Sequence, residues 1–224
     1  LLDGRGNMWL AEIYQIARSL VTFELLERLA DSQGKSCANY QVISLLPLLK
    51  GPRFEWALEK LTELKVDRII PFTSARTVVK AKVKEESEGR QRRWQNIVKE
   101  AAEQSERLLL PVLDQPLTLE EMLNLEELDS TKGALNLLLS ERDQAPNIVQ
   151  ILKSPNIATA MLGNQACVRI YLLGGPEGGF SEEEKTLILA SGFQKASLGN
   201  TILRGETAAI LAAGIAYAIA STLD

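Results

Sequence analysis

The chain has 224 residues, enough for one large domain or for a large domain beside a smaller one. It contains no histidine, which excludes His-ligated zinc, Ser-His and Cys-His nucleophile pairs and imidazole general bases. Hydrophobic and charged fractions of 46% and 24% are those of an ordinary globular chain, and a net charge of −4 excludes an evenly basic nucleic-acid binder while leaving room for a local basic patch.

In chain order, residues 8–17 and 20–26 combine aromatic and β-branched side chains and predict two strands. Arg28 to Tyr40 is polar, holds Ser32 and Gly34, and predicts a loop. Together these pieces read as the end of a small β domain, residues 1–41. From Gln41 the pattern changes. Val42 to Leu49 predicts an apolar strand, and Phe54, Leu58, Leu61 and Leu64 recur at helical spacing across Arg53–Lys65. Arg68–Phe72 is a short strand. Gly89 to Ser105 is a helix with Trp94, Ile97, Val98 and Ala101 on one face. Thr118 opens a helix, with Glu121 three residues on as its capping box. Ala134–Leu139 is a strand, Asn147–Lys153 a helix stopped before Pro155, and Val168–Leu173 a strand. Ser181 and Glu184 make a second capping box for a helix to Ala190. Lys195–Leu198 is a short strand and Glu206–Thr222 the last helix. Strands alternating with helices across 42–224 mean α/β with a mostly parallel sheet. Ligands of such sheets bind beyond the carboxyl ends of the strands, and three loops qualify: Ser140–Arg142, Gly174–Gly179 and Gly199–Gly205.

Ser74–Lys99 carries eight basic residues, among them Arg90, Arg92 and Arg93, against three acids, a net +5 inside an acidic chain. It is either a solvated face or a phosphate-binding one. Cys37 and Cys167 have no metal-type spacing and read as two thiols in a reducing cytosol; no metal is expected, and no secretory signal is visible. The chain opens Leu1-Leu2-Asp3 without a methionine and is read as beginning downstream of its natural start. Ala208–Ala220 is almost wholly apolar yet too short for a membrane span, so it is expected to be a core or subunit-interface helix.

An apolar strand that ends in Gly174-Gly175-Pro176-Glu177-Gly178-Gly179 brings backbone close to a ligand, and Gly178 is expected to need a positive φ. The loop is not a P-loop, a dinucleotide fingerprint or a nucleophile elbow, since none of those glycine spacings is present. Glu177 would repel phosphate at short range and favour a cationic or zwitterionic ligand.

Gly-Gly-Pro-Glu-Gly-Gly-Phe-Ser (174–181) and Leu-Gly-x-x-Ile-Leu-Arg-x-Glu-Thr-Ala (198–208) resemble the signature of the RsmE family, SPOUT-class bacterial methyltransferases that modify N3 of a uridine in small-subunit (16S) ribosomal RNA. Residues 59–66 with Ile69-Ile70-Pro71, 74–77, and 100–107 with Pro111 are similar too, so the resemblance runs from about Leu46 to the end. Lys65 departs from it, standing where the family usually has glycine. The resemblance implies S-adenosylmethionine as methyl donor, a C-terminal trefoil knot that holds it, a homodimer with the site near the subunit interface, a cytoplasmic location and a front domain similar to a PUA RNA-binding barrel. Only the last strands of that barrel are expected in residues 1–41.

On that resemblance Leu173, Gly175, Pro176, Gly178 and Gly179 form one wall of the donor site. Leu198, Gly199, Ile202 and Leu203 contact the adenine, and Leu139 and Ser140 close the third side. Arg204 is the candidate that stabilises a uracil anion. The proton goes either to Glu177 or to solvent. Glu206 either caps its helix or acts in catalysis. Gln104 and Arg107 orient the base or a phosphate, and Arg90, Arg92 and Arg93 meet RNA phosphates. Two other readings stay open: a SPOUT enzyme acting on another RNA position such as a ribose 2′-hydroxyl, and a non-catalytic RNA-binding module of the same fold.

Overall fold

The computed structural model describes residues 1–31, 40–77, 84–140, 144–157 and 167–222. The expected strand-helix alternation is present. A parallel sheet contains β3 (Tyr40–Pro47), β4 (Arg68–Thr73), β5 (Val112–Leu113), β6 (Leu117–Thr118), β7 (Ala134–Leu139), β8 (Val168–Leu173) and β9 (Gln194–Ala196), in the order β5-β4-β3-β8-β7-β9 with β6 also on β4. The helices are α1 (Pro52–Glu63), α2 (Lys84–Gln104), α3 (Leu119–Leu123), α4 (Ile148–Leu152), α5 (Glu182–Ala190) and α6 (Gly205–Ala220). Every described pairing in this sheet is parallel, and β3 lies between β4 and β8 with register Ile43 to Arg68 and Tyr171.

Side-chain alternation sorts the strands into two cores. Val42, Leu46, Leu137, Leu139, Ile170 and Leu172 face one side, where α1, α2, α4 and α6 cover them. Ile43, Leu45, Leu138, Tyr171 and Leu173 face the other, against α3, Ile188 of α5, Phe180 and Phe193. Runs such as Leu172-Leu173 are apolar throughout because both faces of the sheet are covered. Alanines 208, 209, 212, 213 and 216 of α6 are all buried in the first core. Their small side chains let the helix lie close to the sheet. Among the described residues no helix is long and apolar enough to cross a membrane.

The front of the chain is a separate two-stranded antiparallel ribbon, β1 (Asn7–Ile16) on β2 (Val21–Asp31). The second strand runs to Asp31, through part of the segment expected to be loop, because Trp9 pairs with Arg28 and Asn7 with Asp31. Backbone pairing on an exposed ribbon does not need apolar side chains. Residues 32–39, including Cys37, lie outside the described residues. Ile13, Tyr14, Ile16, Leu20, Phe23 and Leu26 are exposed. The ribbon joins the body at the Gly6 amide, which donates to the Leu108 carbonyl, and at the Leu110 amide, which donates to the Gly4 carbonyl.

Lys65 takes a left-handed conformation, φ 57°, one residue past the Leu64 cap of α1. There its amide donates to the Thr62 carbonyl and that of Val66 donates to Leu61. Glycine is favoured in this helix-terminating role because it has no Cβ to clash. The departure from the family pattern therefore has a concrete cost, partly offset by the ammonium of Lys65 over the Tyr217 ring at 5.5 Å. Lys65→Gly and Lys65→Ala both lose that ring contact, so their difference isolates the backbone. Urea denaturation should find the glycine variant more stable than the alanine variant by about 1 kcal/mol.

Candidate functional site

A cavity of about 530 Å³ lies at the carboxyl ends of β7, β8 and β9. Its size is that of a small-molecule site. The three expected loops meet there: Leu139 and Ser140 from β7; Gly175, Pro176, Glu177, Gly178 and Gly179 from β8; Leu198, Gly199, Ile202, Leu203 and Arg204 from β9. Residues 141–143, including Arg142 of the first loop, lie outside the described residues.

Each loop has a local reason for its shape. After β8 the Gly179 amide donates to the Pro176 carbonyl at 2.8 Å, closing a turn that leaves Gly179 at φ 67°. Phe180, buried and stacked on Phe72 at 6.3 Å, anchors the far end of the loop in the second core. After β9 the Ser197 hydroxyl bonds the backbone of Gly199, which sits at φ 129°. The positive φ expected at Gly178 belongs instead to Gly179. Gly178 is a glycine for a different reason: a Cβ there would lie 3.1 Å from the Cβ of Arg76. Gly205 is the tightest point. An added Cβ would sit 2.9 Å from the carbonyl oxygen of Gly175.

Two outside segments complete the walls, and neither was named as a site from the sequence. Arg76 donates to the Gly178 carbonyl at 3.2 Å, and the Ala75 amide donates to Glu184 at 2.8 Å. Glu184 is the capping-box residue of α5, so one carboxylate both starts that helix and ties the 74–77 segment to the glycine-rich loop. From the first turn of α1, Arg53 donates to Glu177 at 2.6 Å and places its Nε 3.8 Å from Glu206. The charge of Glu177 is met by Arg53, and the lining holds Arg53, Arg76, Lys185, Lys195 and Arg204 beside two carboxylates. The cavity therefore carries both signs of charge, which suits the zwitterionic ligand expected from Glu177.

Glu206 is 5% exposed, and its Oε2 has no hydrogen-bond partner. No amide of α6 donates to it, so of the two roles open for it, capping finds no bond here. Arg204 occupies the N-cap of α6 without a side-chain capping bond and is exposed on the cavity. Sequence reasoning missed Arg53 because nothing in a helix N-terminus announces a partner 124 residues away.

Other candidates lie elsewhere. Leu173 is fully buried in the second core beneath the loop and does not line the cavity. Gln104, exposed at the end of α2, does not line it either. Arg107 donates to the Thr62 and Leu109 carbonyls, and burial pulls its guanidinium below its ordinary value while Asp67 opposes the shift. That is a clamp between the end of α1 and the segment after α2. On α2, Arg90 stacks on Trp94, Arg93 donates to Glu55 at 2.6 Å, and the exposed Arg92 is 3.9 Å from Glu88.

The walls fit an adenosine-bearing amino acid: leucines, an isoleucine and a proline for a flat base, and open space where side chains at Gly179 and Gly199 would be. Comparison with known proteins agrees with that chemistry. The RNA methyltransferase domain family matches residues 36–217. Ribosomal RNA small subunit methyltransferase E of a Synechocystis species is 35% identical over 212 residues, 95% of this chain, and the chain spans 63% of that protein's length. The protein of the same name from Mycobacterium bovis is 32% identical over 99% of this chain and 78% of its own. Among solved structures, the same methyltransferase from Neisseria gonorrhoeae, bound to S-adenosyl methionine, aligns with TM-score 0.76 at 26% identity over 95% of this chain and 79% of that one. A putative methyltransferase of Legionella pneumophila, in complex with SAM, aligns with TM-score 0.80 at 28% identity over 97% and 81%.

The contact at Gly205 gives a direct test. Gly205→Ala must push the α6 turn away from the Gly175 carbonyl. It should destabilise the protein by about 1–3 kcal/mol and weaken ligand binding at the cavity, read by thermal melting and by calorimetric titration with S-adenosylhomocysteine.

Proposed function

This chain belongs to the RsmE family of RNA methyltransferases, and from that premise we propose that it transfers the methyl group of S-adenosylmethionine to N3 of a uridine in 16S ribosomal RNA of the small subunit. The observation that carries the reading is the meeting of three strand-end loops around one cavity with a free guanidinium at its edge.

The donor brings a methyl group already activated on a sulfonium, so the protein's task is alignment more than bond activation. Leu139, Ser140, Gly175, Pro176, Gly178, Gly179, Leu198, Gly199, Ile202 and Leu203 hold the donor, with backbone and apolar contacts suited to a nucleoside. Leu173 supports them from beneath. The family's C-terminal knot belongs to the same proposal, supported by the crowding of these loops. Arg204 donates to the uracil carbonyls and favours the anion that forms as N3 loses its proton. Its exposure and its unused capping position support this role. Glu177 enters as the anchor of Arg53.

Arg76, Lys185 and Lys195 on the cavity lining supply charge for RNA phosphates. Arg92, with Arg90 and Arg93 beside it, extends that charge along α2; of the three, Arg92 is the most weakly engaged within the chain. Arg107 acts on RNA through the segment it holds, and Gln104 stands exposed beside it at the end of α2. Residues 1–41 are proposed to belong to a small RNA-binding β-barrel domain, supported by the apolar residues that the ribbon exposes. The protein is proposed to work in the cytoplasm as a homodimer. Exposed Leu211 on α6 and Trp56 on the neighbouring α1 support a subunit contact there, and the protein should elute as a dimer at micromolar concentration. A stable monomer with full activity would remove the dimer from the proposal.

Mass spectrometry of 16S RNA from a deletion strain should show one uridine lacking an N3 methyl group, restored by the wild-type gene. In the purified protein, Arg204→Ala should bind S-adenosylhomocysteine as the wild type does and methylate roughly a hundredfold or more slowly, a barrier rise on the order of 3 kcal/mol. Raising the pH should recover part of the rate. Loss of nucleoside binding in Arg204→Ala would make the residue part of the donor site instead.

A further inference from the structure

We propose that Glu206 reads the imide N3–H of the target uracil and accepts its proton, with Arg53 as its positioning residue. The inference rests on the methyl-transfer reading above. Two carboxylates line the cavity. Glu177 is committed, its Oε1 taking a hydrogen bond from Arg53 at 2.6 Å. Glu206 is held only loosely, with Arg53 Nε at 3.8 Å from its Oε1, and its buried Oε2 has no partner.

A buried acceptor left without a donor is costly, more so when it is charged. Such a group asks for an explanation, and a donor carried in by the ligand supplies one. The uracil edge presents carbonyl, N–H and carbonyl in a row. Arg204 and Glu206 flank Gly205 and line the same cavity, one able only to donate and the other, when ionised, only to accept. That pair complements the edge. Cytosine would turn an unprotonated ring nitrogen towards the carboxylate, and two acceptors repel, so the same residue excludes cytidine. Arg53, half-exposed, holds the Oε1 side of Glu206 and is itself placed by its bond to Glu177.

The step balances. The N3–H proton passes to Glu206, which becomes a neutral carboxylic acid. The electron pair left on N3 forms the new bond to the methyl carbon. The carbon–sulfur bond breaks with its pair staying on sulfur, so the sulfonium becomes a neutral thioether.

Glu206→Gln and Glu206→Asp test the assignment, with melting temperature and S-adenosylhomocysteine affinity measured first and methylation of small-subunit particles from a deletion strain measured against pH. The glutamine variant should bind the nucleoside normally and lose about a hundredfold or more in rate. Its residual rate should climb tenfold per pH unit, because hydroxide must then take the proton, while the wild-type profile stays flat. The aspartate variant should keep the flat profile at a reduced rate. Nucleoside affinity lost in Glu206→Gln, or a flat profile retained in it, overturns the proposal. Should the glutamine variant melt far below the wild type, Glu206→Asp decides: a flat profile supports the assignment and a tenfold slope overturns it. A wild-type protein that methylates no uridine N3 defeats the functional reading, and this inference with it, whereas wild-type activity with an unaffected Glu206→Gln defeats only this inference.

Discussion

The close approach of Gly205 to the Gly175 carbonyl is the contact on which the rest of the site depends. It presses the turn that starts α6 against the loop that follows β8, with room for a hydrogen atom and nothing larger. Gly174 continues the seam, where a Cβ would lie 3.8 Å from the Pro47 ring at the end of β3. Three strands of the sheet therefore deliver their carboxyl ends to one place, and the first turn of α6 enters between them. The alanines of α6 complete the constraint from the other side, because only small side chains let the helix lie that near the sheet while its first turn reaches the cavity. Packing and site geometry are one arrangement here.

Charge is distributed by the same packing. Arg53 is placed by α1, Glu177 by the loop after β8 and Glu206 by α6, so one guanidinium joins three elements far apart in sequence. The pair with Glu177 is partly exposed and adds little stability. Its consequence is positional: it fixes where the arginine rests and leaves a buried carboxylate oxygen of Glu206 unmatched. Functional sites commonly retain such an unmatched group when its partner comes with the substrate.

Much of this was legible in the chain itself. The strand-helix alternation, the two capping boxes and the glycine clusters are local features, set by periodicity and by the conformations open to glycine, serine and threonine. They marked the three loops that meet at the cavity, and the family resemblance named ten of its lining residues among the donor candidates. Errors fell where a local rule met a non-local partner. Residues 28–31 were expected in a loop for their polarity, yet they pair with β1. Leu173 looked like a loop contact, yet the pleat of β8 turns it into the core. The bonds of Arg107 to the Thr62 and Leu109 carbonyls were likewise not legible in the chain.

The sequence by itself determined that the chain is an α/β protein whose ligand loops follow its last strands, because helix periodicity, capping and turn chemistry act over a few residues. It also marked Gly178, Gly179 and Gly199, but not why each mattered, and it passed over Gly205. Only the tertiary structure decided that Gly179 carries the positive φ, that Gly178 yields to Arg76, and that Arg53 stands between Glu177 and Glu206. The last two depend on distances between segments more than a hundred residues apart. Such distances are set by how the sheet orders its strands and how closely α6 packs on it, and no local pattern encodes them.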